Sequence, residues 1–119
     1  MRIAVSAQTA SAESNVDPRF GRAPYFAIYD SDTDDYQFVE NAQNMQAAQG
    51  AGIQSGQNVA EQKVDWVVSG NFGPKAFAVL NGAGIKAVTW SQGTVAEAVA
   101  LVKANKLEPV GGANVRGHW

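Results

Sequence analysis

Cationic residues occur in a few loop segments of this chain. The segment 7–23 carries Arg19 and Arg22, and a second Gly-containing segment, 69–74, is followed directly by Lys75. Guanidinium and ammonium groups bind anions through charge-assisted hydrogen bonds. If these segments lie side by side, they form a site for an anionic ligand. The alternative is that the glycines form ordinary turns and the cations lie on a solvated surface, and the pattern alone leaves both open.

Catalytic groups are scarce in the sequence. There is no Cys, and His118 is the single His, close to the end of the chain. A thiol nucleophile, a disulfide, a thiolate-held metal site and a multi-His metal site are therefore excluded. Glu13 and Asp17 share one loop with no sign of a general acid or base, and Asp65 precedes a strand. We expect a binding protein, not an enzyme.

The sequence does not match three known ligand-binding motifs. Residues 30–34 begin like a calcium loop, but Asp35 occupies the sixth position and Asn41 the twelfth, where Gly and Glu are needed. Residues 50–56 do not form Gly-x-Gly-x-x-Gly, and residues 70–75 lack the spacing of a P-loop. We interpret residues 30–35 as a hairpin turn.

Hydrophobic patterning predicts a single α/β domain over residues 1–107, followed by a flexible, Pro/Gly-containing tail over residues 108–119. Strands are predicted at 3–6, 25–29, 36–40, 66–68 and 84–90, and helices at 54–63, at 74–80 and after Thr94. The first part is an antiparallel meander, and the second part alternates strand and helix. This order predicts a mixed five-stranded sheet with helices on both faces, in which the second strand runs antiparallel to the first, fourth and fifth.

The predicted topology gives the place of the site. Ligands of such sheets bind beyond the carboxyl ends of parallel strands, where the segments 7–23, 69–74 and 91–94 should meet. The helices beginning at Pro74 and Thr94 would direct their N–H groups to the same edge, which favours an anion. Trp66 and Trp90 fall in predicted strands, and we expect both in the core.

Net charge and hydropathy indicate which kinds of partner the protein is not expected to bind. The net charge of −2 argues against non-specific nucleic-acid binding. No stretch approaches about 18 apolar residues, and the chain begins directly with an apolar run instead of a signal peptide. We therefore expect a cytoplasmic protein without membrane association.

The segment Val-Asp-Pro-Arg-Phe-Gly-Arg-Ala-Pro-Tyr-Phe, at 16–26, resembles the signature loop of the dinitrogenase iron–molybdenum cofactor biosynthesis family. Segments 50–56, 64–77, 82–86 and 94–98 are similar to that family as well. The resemblance implies a ribonuclease-H-like α/β fold without nuclease carboxylates, and a role in holding metal–sulfur cofactors during nitrogenase assembly. It also extends to the orange proteins of sulfate-reducing bacteria, small stand-alone members that hold a molybdenum–copper sulfide cluster without covalent attachment.

One departure from the family pattern bears on the ligand. Carriers of the iron–molybdenum cofactor are expected to use a Cys or His ligand, and this chain has only His118. An anionic cluster that already carries its own sulfide ligands fits better than the iron–molybdenum cofactor itself. The expected cluster-binding residues combine cations, amide donors and apolar contacts: Arg19, Phe20, Gly21, Arg22, Asn71, Phe72, Gly73, Lys75 and Thr94. The alternative function is a protein-interaction or regulatory module that uses the same edge without a cluster.

Overall fold

The computed structural model describes residues 1–41 and 51–111. The elements in chain order are β1 (Arg2–Ala7), a 3-10 turn (Phe20–Arg22), β2 (Tyr25–Asp30), β3 (Asp35–Glu40), α1 (Ala51–Glu61), β4 (Trp66–Ser69), α2 (Pro74–Gly82), β5 (Lys86–Thr89) and α3 (Val95–Lys103).

The strands form one five-stranded mixed sheet with the order β3-β2-β1-β4-β5. β2 is antiparallel to both β1 and β3, whereas β1, β4 and β5 are mutually parallel. The predicted sheet and the direction of its second strand are therefore confirmed. The carboxyl ends of β1, β4 and β5 lie at one edge of the sheet, where the topology predicts a ligand site.

Helices cover both faces of the sheet. Ile3 and Val5 of β1 pack in one buried cluster with the apolar side of α3, and Ala4, which points the other way, packs in a second cluster with α1 and α2. Alternation of side chains along a strand explains this division. The prediction of helices on both faces is confirmed.

Helix α1 begins and ends earlier than its sequence pattern predicts. Its apolar signal is weak because small residues form much of its buried face. A Cβ at Gly56 would lie 2.9 Å from Val79 of α2, so glycine permits the close approach of the two helices. Two residues after the end of α1, Lys63 has a left-handed φ of 54° and donates its N–H to the carbonyl of Ala60.

The start of the predicted tail contacts the domain. Val110 donates its backbone N–H to the carbonyl oxygen of Ala87 in β5 at 2.8 Å and packs against the α1–α2 side of the core. Residues 112–119, with His118, lie outside the described residues, as does Gly50 at the start of the Gly-containing segment 50–56. The division into a domain and a flexible tail stays a prediction.

The helices of the described segments are short. None of them combines the length and apolar character that a helix needs to cross a lipid bilayer.

Candidate functional site

Three loops meet at the carboxyl edge of the parallel strands. Loop 1 (residues 8–24) follows β1, loop 2 (residues 70–73) follows β4, and loop 3 (residues 90–94) follows β5. Val16 of loop 1 donates its N–H to the carbonyl of Gly93 in loop 3 at 2.9 Å. Phe20 of loop 1 donates its N–H to the carbonyl of Asn71 in loop 2 at 3.3 Å. Loop 1 is therefore joined by backbone hydrogen bonds to both of its neighbours.

Two buried serines anchor loop 1 to the ends of β1 and β4. The hydroxyl of Ser6 donates to the carbonyl oxygen of Asp17 at 2.6 Å and lies 2.8 Å from the hydroxyl of Ser69. Ser69 Oγ lies 3.2 Å from the same carbonyl oxygen, and the N–H of Asp17 donates to the carbonyl of Ser6. Because both serines are fully buried, these hydrogen bonds are shielded from water.

Loops 1 and 2 bring Arg19 and Asn71 together. These residues pair in an isolated parallel bridge, and the side-chain amide of Asn71 donates to the carbonyl of Pro18 at 3.0 Å. The contact requires a glycine at position 70, because a Cβ there would lie 2.7 Å from the Cα of Pro18. The structure thus joins two of the residues that the sequence places in the site.

The expected cations of this edge are exposed. The side chain of Arg19 is 51% exposed, and its Nε lies 3.7 Å from the carboxylate of Asp17. Arg22 ends the 3-10 turn, and Lys75 lies in the first turn of α2. Since both side chains are also exposed, loop 1 and the start of α2 carry positive charge at their surface.

The phenylalanines that were expected to contact the ligand lie in the core instead. Phe20 and Phe72 are fully buried, with ring centroids 5.1 Å apart, and Phe26 packs on Phe20 at 5.3 Å. Gly21 and Gly73 are buried as well. The two rings support the loops from beneath and offer a ligand no exposed surface, because the 3-10 turn directs Phe20 inward.

Helix α3 uses its first-turn N–H groups within the protein. Thr94 and Glu97 form a capping box, in which the Thr94 N–H donates to Glu97 Oε1 at 3.0 Å and the Glu97 N–H donates to Thr94 Oγ1 at 3.2 Å. The N–H groups of Val95 and Ala96 donate to carbonyl oxygens of loop 1 at 2.9 and 3.0 Å. The expectation that α3 directs unpaired N–H groups at a ligand is therefore wrong.

Helix α2 begins differently. Its N-cap is Gly73, which has no side chain to accept a hydrogen bond, and Pro74 occupies the first helical position. The carbonyl of Gly73 accepts the N–H of Phe77 and so starts the helical hydrogen-bond pattern. Within residues 1–41 and 51–111, no side chain caps this helix in the way that Thr94 caps α3.

Sequence reasoning missed two residues at this edge. Asp17 was given no role in binding, although Asp often accepts the N–H of the residue two positions later, and here Oδ1 accepts the Arg19 N–H at 2.8 Å. Trp90, expected in the core, packs against the α3 side of the core but is half-buried; it directly follows β5, where its N–H donates to the carbonyl of Ser69. Its position at a strand end was the available signal.

The described residues hold no group of three or more His, Cys, Asp and Glu side chains with the geometry of a metal-ion site.

Comparison with known proteins gives one family match. The family model described as dinitrogenase iron-molybdenum cofactor matches residues 1–105. Among curated proteins, no sequence matches the chain.

Solved structures are similar over nearly the whole chain. The apo form of the orange protein from Desulfovibrio gigas has a TM-score of 0.91 and 36% sequence identity, with 96% of each chain covered. A protein from Thermotoga described as NifB-like has a TM-score of 0.79 and 30% identity, with 98% of each chain covered. A dinitrogenase-like protein from Methanocaldococcus jannaschii has a TM-score of 0.67 at 12% identity, covering 94% of this chain and 96% of that one, which shows the fold alone.

Proposed function

The chain belongs to the dinitrogenase iron-molybdenum cofactor family, and on that premise we propose that it binds an anionic metal–sulfur cluster non-covalently at the edge formed by loops 1 to 3, where loops 1 and 2 contact the cluster and loop 3 holds loop 1 in place. The family and the similarity to the orange protein support a role related to a metal cluster. We propose molybdenum as one metal and copper as the other, because the residues resemble the group of proteins that holds such a cluster. The iron–molybdenum cofactor is the less favoured ligand.

The exposed guanidinium of Arg19 beside Asn71 is the observation that carries this proposal. Loop 1 is anchored by buried hydrogen bonds from Ser6 and Ser69, so the backbone that presents Arg19 is held in place before any ligand arrives. A donor on such a backbone loses little entropy on binding. Arg22 adds positive charge to loop 1, and Lys75 adds it to the first turn of α2.

The donor set of the chain fits a cluster that brings its own sulfide ligands. The sequence has no thiolate to complete a metal's coordination, and its one imidazole, His118, lies outside the described residues. Sulfide and oxo groups of an anionic cluster accept hydrogen bonds from guanidinium and amide N–H groups. Recognition would therefore act on the outer atoms of the cluster and leave its metals ligated by sulfide.

The proposal also covers catalysis, location and partners. The protein would hold or carry its cluster without catalysing a reaction, and it would do so in the cytoplasm. The ribonuclease-H-like classification of the sheet stays a prediction. A protein that supplies or receives the cluster is a natural partner, and nucleic acid is not.

Titration with a tetrathiomolybdate–copper mixture, followed by visible absorption, tests the proposal. Wild type should develop a charge-transfer band with stoichiometric molybdenum. Arg19→Ala and Arg22→Ala should each weaken binding by about tenfold or more, since a hydrogen bond to a charged group contributes about 1.5–3 kcal/mol. Arg19→Lys should rescue only partly because Lys lacks the planar fork. Binding should weaken as salt increases.

Two control variants show whether binding depends on this edge or on another part of the chain. Lys106→Ala removes one positive charge beyond the carboxyl end of α3 and should leave binding unchanged. His118→Ala should also leave it unchanged. If His118→Ala abolishes the band while the Arg variants bind normally, the proposed site is wrong. A colourless protein that co-purifies with a protein partner would support the interaction module instead.

A further inference from the structure

Asp17 is a buried carboxylate at the centre of loop 1 that the proposed function does not use. It is only 3% exposed, although Asp is rarely buried without a partner. Its Oδ1 accepts the backbone N–H of Arg19 at 2.8 Å and lies 3.7 Å from Arg19 Nε. Within residues 1–41 and 51–111, Asp17 is the one ion-pair partner of that guanidinium.

The backbone of Asp17 is itself fixed to the sheet. Its carbonyl oxygen lies within hydrogen-bonding distance of the hydroxyls of Ser6 and Ser69, and its N–H donates to the carbonyl of Ser6 at 2.8 Å. These contacts come from the ends of two adjacent parallel strands. Asp17 is therefore a rigid link between the sheet and a side chain that is otherwise half exposed.

The guanidinium nitrogen that pairs with Asp17 is Nε, at 3.7 Å, a charge-charge contact longer than a hydrogen bond. An arginine attracted on its Nε side keeps both terminal nitrogens for a second partner, and these two nitrogens form the fork that binds planar or bidentate anions. We propose that Asp17 is a positioning residue, which holds the Arg19 guanidinium by its Nε side so that the terminal nitrogens engage the outer sulfide or oxo atoms of the bound anion. This inference rests on the proposed function.

Neutralising Asp17 should change the affinity for the anion in opposite directions, depending on whether Asp17 positions Arg19 or acts only through its charge. Asp17 carries a negative charge next to the site of an anion, so its removal should strengthen binding if only the Coulomb energy matters. Loss of positioning has the opposite effect, because Arg19 must then be ordered when the anion binds. A positioning residue therefore weakens binding when it is neutralised.

Asp17→Asn is the test variant, since Asn keeps an Oδ1 acceptor for the Arg19 N–H and removes the charge. In titrations with the tetrathiomolybdate–copper mixture, it should bind about threefold to tenfold more weakly than wild type, the range expected of a partly exposed, coupled pair. In an Arg19→Ala background, the same change should cost about twofold or less, because Asp17 acts through Arg19. Unchanged or tighter binding by Asp17→Asn would overturn the inference.

A ligand-independent measurement keeps this inference separate from the proposed function. The Nε–Hε signal of Arg19 in 15N NMR relaxation should report a more restrained group in wild type than in Asp17→Asn. If wild type binds no cluster but this difference is present, the proposed function fails and the positioning contact stands. If the signal is equally mobile in both proteins, the positioning role is wrong.

A second variant covers the case in which Asp17→Asn does not fold. Asp17→Ser also removes the charge and retains a hydroxyl that can accept the Arg19 N–H in a related turn. It should show the same direction of change in binding and in the Nε–Hε signal. Thermal unfolding of each variant shows whether the comparison is made on folded protein.

Discussion

The loop edge has two halves, and each half combines part of loop 1 with the N-terminus of a helix. The two halves differ in how the helix begins. In the first half, loop 1 pairs with loop 2 through Arg19 and Asn71, and the N-cap of α2 is Gly73, which has no side chain to cap the helix. In the second half, loop 1 lies against α3, and its carbonyl oxygens together with the Thr94–Glu97 capping box take up the first-turn N–H groups of α3.

The difference teaches that a helix start at the right edge does not by itself make an anion site. The positive end of a helix attracts an anion chiefly through N–H groups that have no other partner. In the α3 half, the protein already supplies those partners. Under the proposed function, an anion at this edge would meet the exposed Arg19 of the first half, and the second half would hold loop 1 in place.

The largest expected effect concerns Phe72, which supports the first half from the core. Phe72→Ala should lower the free energy of unfolding by about 3–5 kcal/mol in urea denaturation, because it removes a fully buried ring that packs on Phe20. Phe72→Leu, which keeps most of the volume, should lose much less. A Phe72→Ala protein as stable as wild type would contradict the supporting role of this ring.

The second prediction concerns the contact between loops 1 and 2. Gly70→Ala should cost about 1–3 kcal/mol of unfolding free energy, because the new Cβ would lie 2.7 and 2.8 Å from backbone atoms of Pro18. It should also weaken cluster binding, since Arg19 follows Pro18 directly.

Gly82→Ala is the matched control for this prediction. No described atom lies within 4 Å of a Cβ at Gly82, which ends α2, so this change should be neutral or slightly stabilising in thermal unfolding. Equal melting temperatures for the Gly70 and Gly82 variants would mean that loops 1 and 2 do not require their close approach.

The sheet and its helices were predictable because their signals are local. Apolar runs mark the strands, Pro74 marks the start of α2, and Thr94 with Glu97 marks the start of α3. The meeting of the three loops followed from topology, since parallel strands place their carboxyl ends at one edge. The start of α1 was missed because Gly52 and Gly56, which are buried in the helix, give no apolar period.

Details of the site depend on contacts that are distant in sequence. Loop 1 has no periodicity, so nothing local indicates that Phe20 turns into the core while Arg19, its neighbour, stays exposed. The burial of Asp17 depends on the serines that end β1 and β4. The state of the α3 N–H groups depends on the path of loop 1, which a capping motif alone does not reveal.

The smallest effect is expected at Thr94, and it compares the two halves directly. Thr94→Ala removes the hydroxyl that accepts the Glu97 N–H and should lower the unfolding free energy by about 0.5–2 kcal/mol, as the loss of an N-cap does. At a temperature where the variant is folded, its affinity for the tetrathiomolybdate–copper mixture should equal that of wild type, because the N–H groups of Val95 and Ala96 still donate to loop 1. Arg19→Ala should instead weaken binding and lower the unfolding free energy by no more than about 1 kcal/mol, because its ion pair with Asp17 is half exposed on the Arg19 side. Thr94→Ser, which keeps the hydroxyl, should match wild type in both measurements. If Thr94→Ala weakens binding as strongly as Arg19→Ala does, the α3 half is part of the ligand site, and the contrast between the two halves is wrong.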